Sequence, residues 1–260
     1  VLLEGKRIIV TGGITGIGKA TVLAMAREGA QVVSMSRAEP TAERVAAVVD
    51  AANELGKRPV THVQCDVTKR NVVNAAFGQA ISLMGGLDAL VNSAGLEHQG
   101  PAEDLTEELL YEQFAVHVMG TAFTNGAAFR HFKDNGGGAI VNYASYAGVC
   151  GMPGMANYSA AKGGVVAFSR TVAKDWAPYR VRVNVVCPGV MTELAQKWYD
   201  EMDAERRAQI DAWQAATIPL GGKLGEVDDA ANLNVFLTSD MSKFIHGQTI
   251  GVDGGMMMSR

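Results

Sequence analysis

Arg7-Ile-Ile-Val-Thr-Gly-Gly-Ile-Thr-Gly-Ile-Gly18 runs directly into Lys19–Arg27, whose pattern is helical. A β-branched run ending at Val10, glycines at 12, 13, 16 and 18, and a helix behind them make a strand–loop–helix unit. Glycine permits backbone conformations and close approaches that a Cβ would block, and a helix start presents free N–H groups to an anion such as a pyrophosphate. The spacing is wider than the G-x-G-x-x-G fingerprint. Its place after the first strand therefore carries the dinucleotide reading, and a purely structural turn is the alternative.

Working outward, the same apolar punctuation recurs. Gln31–Ser34, Val60–Val63, Leu87–Val91, Ala139–Asn142, Val181–Val186 and Thr249–Val252 read as further strands, giving about seven with Arg7–Val10. Amphipathic stretches such as Ala42–Leu55 and Val72–Leu83 lie between them. Alternation of this kind implies an α/β fold with a parallel sheet, right-handed crossovers and helices on both faces. The 260 residues, 48% of them hydrophobic, suit one large domain over residues 1–260 better than two small ones. Residues 191–217, with Trp198, Tyr199 and Trp213 among charges, are helical by pattern and are expected to form a lid.

A net charge of −4 without blocks of like charge argues against a nucleic-acid or anionic-membrane surface and for a small-molecule substrate. No apolar run approaches the roughly 18 residues of a membrane span, and the opening residues are too charged for a secretory signal. A cytoplasmic location is the expectation. Cys65, Cys150 and Cys187 read as buried reduced thiols, and the five histidines show no metal-ligand spacing, so no metal is expected.

Chemistry enters at Tyr158-Ser-Ala-Ala-Lys162, thirteen residues after Ser145. On a helix, residues four apart share a face, which lets the lysine ammonium reach the phenol. A nearby cation favours phenolate and pulls a tyrosine pKa near 10 toward neutrality, where a general acid/base works best. Ser145 would hold the substrate oxygen as charge develops on it.

Together these residues resemble the short-chain dehydrogenases/reductases in their single-domain form of about 250 residues, along essentially the whole chain. Thr11-Gly-x-x-x-Gly-Ile-Gly18 resembles the cofactor loop, Asp66-Val67 the adenine-contacting pair, and Asn92-Ser-Ala-Gly95 the Asn-Asn-Ala-Gly motif with serine second. Ser145, Tyr158 and Lys162 fall on the catalytic positions. Pro188-Gly189 with Thr192 resembles the segment at the nicotinamide end, and Val252-Asp-Gly-Gly255 the C-terminal signature. The resemblance implies a Rossmann-type doubly wound sheet and cofactor contacts from Gly12, Thr15, Gly16, Ile17, Gly18, Asn92, Ala94 and Gly95. It also implies that Lys162 both lowers the tyrosine pKa and binds the nicotinamide ribose. The chain departs from the family at Val116-His117-Val-Met-Gly120, where the family has an asparagine that helps hold a water leading to the lysine. His117, which titrates near neutrality when free, is a candidate for that relay, a structural replacement being the alternative.

Cofactor choice rests on Ser34-Met-Ser-Arg37. Ser36 stands where the family's NAD enzymes place an acid, and Arg37 follows; a guanidinium beside a small hydroxyl suits a phosphate. Thr15 lies where many NADP enzymes carry a second cation. NADP(H) is favoured, and NAD(H) is the alternative. Val149, Met152, Met155, Met191, Leu194 and Trp198 are the expected pocket walls. The expected reaction interconverts a secondary alcohol and a ketone, hydrophobic or cyclic as a steroid or terpenoid is. A 3-oxoacyl-thioester reductase and, further off, a non-catalytic dinucleotide sensor are the alternatives. The resemblance implies a homotetramer assembled through the helices expected over Glu107–Phe132 and Tyr158–Trp176, with a dimer as fallback.

Overall fold

Ile8, Ile9 and Val10 have no exposed surface at all, because their strand is covered on both faces. Each contributes roughly 1.5–3 kcal/mol by that burial. The computed structural model describes residues 1–258. In chain order it runs β1 (Arg7–Thr11), α1 (Gly16–Arg27), β2 (Gln31–Ser36), α2 (Glu43–Leu55), β3 (Val60–Gln64), α3 (Arg70–Met84) and β4 (Ala89–Asn92). There follow α4 (Glu107–Phe114), α5 (Gly120–Phe132), β5 (Gly138–Tyr143), α6 (Tyr146–Cys150), α7 (Ala156–Trp176) and β6 (Val181–Pro188). The chain ends with β7 (Val190–Met191), α8 (Glu193–Glu201), α9 (Ala204–Thr217), β8 (Gly225–Glu226), α10 (Val227–Thr238) and β9 (Thr249–Val252).

Seven strands form one parallel sheet in the order β3-β2-β1-β4-β5-β6-β9. Ile8 and Val10 point into the core shared with α1, α2 and α10, while Ile9 points into the core shared with α3, α5 and α7. All seven expected strands are present. Strand order reverses between β1 and β4, so the loops after these two strands part and leave a crevice at the C-terminal edge, the place where doubly wound sheets bind ligands.

The first helix begins at Gly16, inside the glycine loop, instead of at Lys19. The helix expected over Glu107–Phe132 is continuous, with α4 and α5 joined through a π-turn at Ala115–Met119, a wide turn whose extra residue escapes any 3.6-residue pattern. His117 sits in that turn. The region expected as a lid is the helix pair α8–α9, inserted between β7 and β8, which pair with each other apart from the main sheet.

Candidate active site

The glycine loop is shaped by contacts that forbid side chains. Gly12 has φ +69°, and a Cβ there would lie 2.8 Å from the backbone of Ala94 on the β4 loop. A Cβ on Gly18 would collide with the carbonyl oxygen of Gly12. Behind the loop, Thr15 at the N-cap of α1 makes no side-chain cap, and the first turn of the helix carries no acid. Its terminal N–H groups therefore remain available to an anion, and the cradle fits the diphosphate of a dinucleotide.

Three hollows join along this edge. The first holds Ser36, Arg37, Asp66 and Val67, as expected, together with Arg44, which the sequence reading missed. Arg44 lies in the first turn of α2, and the fold turns that helix back toward the end of β2. A cation at a helix start opposes the helix dipole, and that misplacement is the signal that could have marked it. Asp66 is engaged locally, its Oδ1 accepting from the Thr68 backbone N–H at 3.0 Å and hydroxyl at 2.8 Å.

The second hollow shares Gly12, Thr15 and Gly95 with the first and adds Gly16, Ile17, His117, Tyr158, Lys162, Pro188 and Thr192. Ala94 lines the first hollow and Gly189 the third. Gly18 shapes the loop from behind. Asn92 does not join them: its side chain is buried, donating to Asn142 Oδ1 at 2.8 Å within a network that Asn125 and Ser169 complete. Asn92 thus ties β4 to β5 beneath the groove.

The third hollow shares Ile17, Tyr158, Pro188 and Thr192 with the second and reaches Ser145. Met152 and Met155 line it as expected, joined by Trp213, Leu224 and Met256, the last two unforeseen. Val149 is exposed, and Trp198 faces a separate hollow beside His98. The start of α8 is pinned over the glycine loop, with Lys19 Nζ 2.8 Å from Glu193 Oε1 and Thr192 capping Ala195 N–H at 3.1 Å.

Tyr158 and Lys162 do share one face of α7, with Nζ 5.6 Å from the phenol ring centre. Their proton affinities move against the sequence expectation. Burial drives the Tyr158 phenol up, and the Glu97 carboxylate adds to this while the Ser145 hydroxyl opposes it. The Lys162 ammonium instead donates to the Tyr143 carbonyl oxygen at 2.8 Å. Burial pushes that lysine down to about 8. The Tyr158 phenol is therefore neutral at physiological pH.

His117 is also corrected. Burial, with the Lys162 charge second, pushes it down to about 3, so it is a neutral ring at physiological pH. Its Nε2 lies 2.7 Å from the Leu96 carbonyl oxygen, which can only accept. Nε2 must then carry the proton, and Nδ1 is left as an acceptor. The ring stands edge-on to Tyr158, 5.4 Å between centres. Ser145 Oγ accepts from the Ala147 N–H at 3.2 Å, capping α6. Of the three thiols, Cys65 and Cys187 are buried but Cys150 is exposed, because α6 ends there and the chain turns outward. Among the described residues no cluster of metal-ligating side chains and no helix long and apolar enough to cross a membrane occurs.

Comparison with known proteins agrees with this architecture. The family described as enoyl-(acyl carrier protein) reductase matches residues 12–257. The chain is 36% identical to 2-(S)-hydroxypropyl-CoM dehydrogenase 3 of Xanthobacter autotrophicus, covering 98% of this chain and 97% of that one. It is 33% identical to a 3-oxoacyl-(acyl-carrier-protein) reductase of Thermotoga maritima, over 98% and 99% of the two chains. A solved short-chain type dehydrogenase/reductase from Mycobacterium ulcerans superposes with a TM-score of 0.90 at 28% identity, over 100% of this chain and 92% of that one.

Proposed function

The chain belongs to the short-chain dehydrogenase/reductase family and is an oxidoreductase acting on alcohol and carbonyl groups; from that premise we propose that it uses NADP(H) on a hydrophobic, ring-shaped secondary alcohol or ketone. The observation that carries the cofactor reading is the pair Arg37 and Arg44 flanking Ser36 where β2 ends without an acid. Two guanidiniums and a hydroxyl complement a 2′-phosphate, and a carboxylate in the place of Ser36 would repel it. Met152, Met155, Trp213, Leu224 and Met256 support the substrate reading, since they offer adaptable apolar walls with few charges.

Gly12, Thr15, Gly16, Ile17 and Gly18 would hold the diphosphate, Asp66 and Val67 the adenine, and Ala94, Gly95, Pro188, Gly189 and Thr192 the path to the reacting end. The nicotinamide supplies the hydride. Tyr158 gives its phenolic proton to the carbonyl oxygen. Ser145 donates to the same oxygen, its lone pair being already engaged by Ala147 N–H. Lys162 steadies the charge left on the phenol, and His117 Nδ1 holds a water through which the proton is replaced. A neutral phenol is the form a proton donor needs, so reduction is favoured near neutral pH and oxidation at higher pH. Leu110, Tyr111 and Phe114, exposed on α4, support a homotetramer as the assembly.

A 3-oxoacyl thioester is the second reading, favoured by the likeness to the Thermotoga enzyme. The Glu97 carboxylate in the pocket wall weighs against a thioester on a phosphate-bearing arm. Titration of the purified protein with NADPH and NADH tests the cofactor reading. NADPH should bind at least about tenfold tighter, and Arg44→Ala should weaken NADPH alone by about tenfold, the worth of a charge-assisted contact. Tighter binding of NADH would overturn it.

A further inference from the structure

Ser36 is held from behind by a histidine that the proposed reaction does not use. His62, on β3, lies half-buried with Nε2 3.3 Å from the Ala38 carbonyl oxygen and 3.4 Å from Ser36 Oγ, and with Nδ1 3.3 Å from Ser34 Oγ. A carbonyl oxygen only accepts, so Nε2 carries a proton, shared between Ala38 O and Ser36 Oγ. Burial lowers the affinity of this ring for a second proton, leaving Nδ1 to accept from the Ser34 hydroxyl. Ser36 Oγ also accepts from the Ala38 backbone N–H at 3.1 Å. Both its lone pairs then face donors. Its own proton has no acceptor among the described residues, and Ser36 lines the groove beside Arg37 and Arg44.

We infer that His62 is a positioning residue that makes Ser36 an obligate hydrogen-bond donor, so that this corner selects an acceptor-only phosphate over a ribose hydroxyl. The inference rests on the NADP(H) reading above. A hydroxyl free to turn could donate or accept and would serve either ribose. One whose lone pairs are both engaged offers only a proton, which an anion takes best. His62 thus adds to discrimination between the two dinucleotides without touching either. Ser34 completes the chain: it is fully buried, and a Cβ on Gly13 of the glycine loop would lie 2.6 Å from its Oγ.

The test is a fluorescence titration with NADPH and NADH of wild type, His62→Val, His62→Gln, Ser36→Ala and the double variant H62V/S36A. His62→Val should weaken NADPH by about tenfold, the cost of misdirecting one hydrogen bond to a charged group, with NADH changed by less than about twofold. His62→Gln, whose amide nitrogen can reach the Nε2 position, should recover most of the NADPH affinity. In the Ser36→Ala background His62→Val should have no further effect. Parallel weakening of both cofactors, or effects of the two substitutions that multiply, would overturn the inference. Wild-type preference for NADH would overturn the cofactor reading and the inference with it. Preference for NADPH with an unchanged ratio in His62→Val would overturn the inference alone.

Discussion

Tyr158→Phe is expected to lower kcat/KM for ketone reduction by roughly a thousandfold, within the range that general acid catalysis supplies, while NADPH affinity changes by less than about threefold. The substitution removes one oxygen and leaves the ring that packs edge-on against His117. The fold and the glycine cradle stay as they are; only the proton is lost. Ser145 keeps its hydroxyl on the substrate oxygen, so some catalysis by positioning should remain. Steady-state rates with a cyclic ketone and NADPH titration on the same preparation separate the two effects. A variant that retained more than about a tenth of wild-type activity would show that another group donates the proton, and the assignment of Tyr158 would fail.

Lys162→Met is expected to inactivate the protein by about a hundredfold or more and yet stabilise it at neutral pH. Among the described residues the buried ammonium has no carboxylate in salt-bridge reach, and it donates to the Tyr143 carbonyl. Its affinity for the proton falls from 10.5 to about 8 on folding. Below pH 8 both folded and unfolded chains are charged, and the cost of burying the charge, about 3 kcal/mol, is fully present. Between about 8 and 10.5 the unfolded chain binds more protons, so wild-type stability contributed by this group rises with pH. Methionine fills similar volume without the charge but leaves the Tyr143 carbonyl unpaired, which returns about 1 kcal/mol of the gain. Urea unfolding should place the variant about 2 kcal/mol above wild type at pH 7, the gap closing by about pH 10. A variant destabilised equally at both pH values would show that Lys162 is structural in its charged form.

The two variants point to the same physical origin for what the sequence told and withheld. Ile8-Ile9-Val10 is legible as a strand because a chain buried on both faces must be apolar at every position, whereas the edge strands β3 and β9 are only partly buried and carry Thr61, His62 and Thr249. Tyr158 and Lys162 are legible because four residues close one helical turn. What the sequence concealed depends on tertiary surroundings. The Tyr158 shift runs opposite to what a lysine four residues away suggests, because burial outweighs an ammonium that the fold turns toward Tyr143. His62 lies far along the chain from Ser36, and Arg44 lies on the next element, α2; the packing of β3 and α2 beside β2 brings His62 to Ser36 and Arg44 to the hollow that Ser36 lines. Asn92 carries the right motif, but β5 places Asn142 beside it and claims its side chain for the interior.

We propose hydride transfer with NADP(H) at the groove where Tyr158 and Ser145 meet. It is tested most directly by incubating the protein with NADPH deuterated at the transferring C4 position, and separately with NADH so labelled, over a panel of cyclic ketones, steroids and acetoacetyl thioesters. Deuterium is expected on the carbinol carbon of a cyclic or steroidal product from NADPH, little from NADH, and none with Tyr158→Phe on the same timescale. NADPH bound without label in any product, or label arriving equally well from NADH, would contradict it.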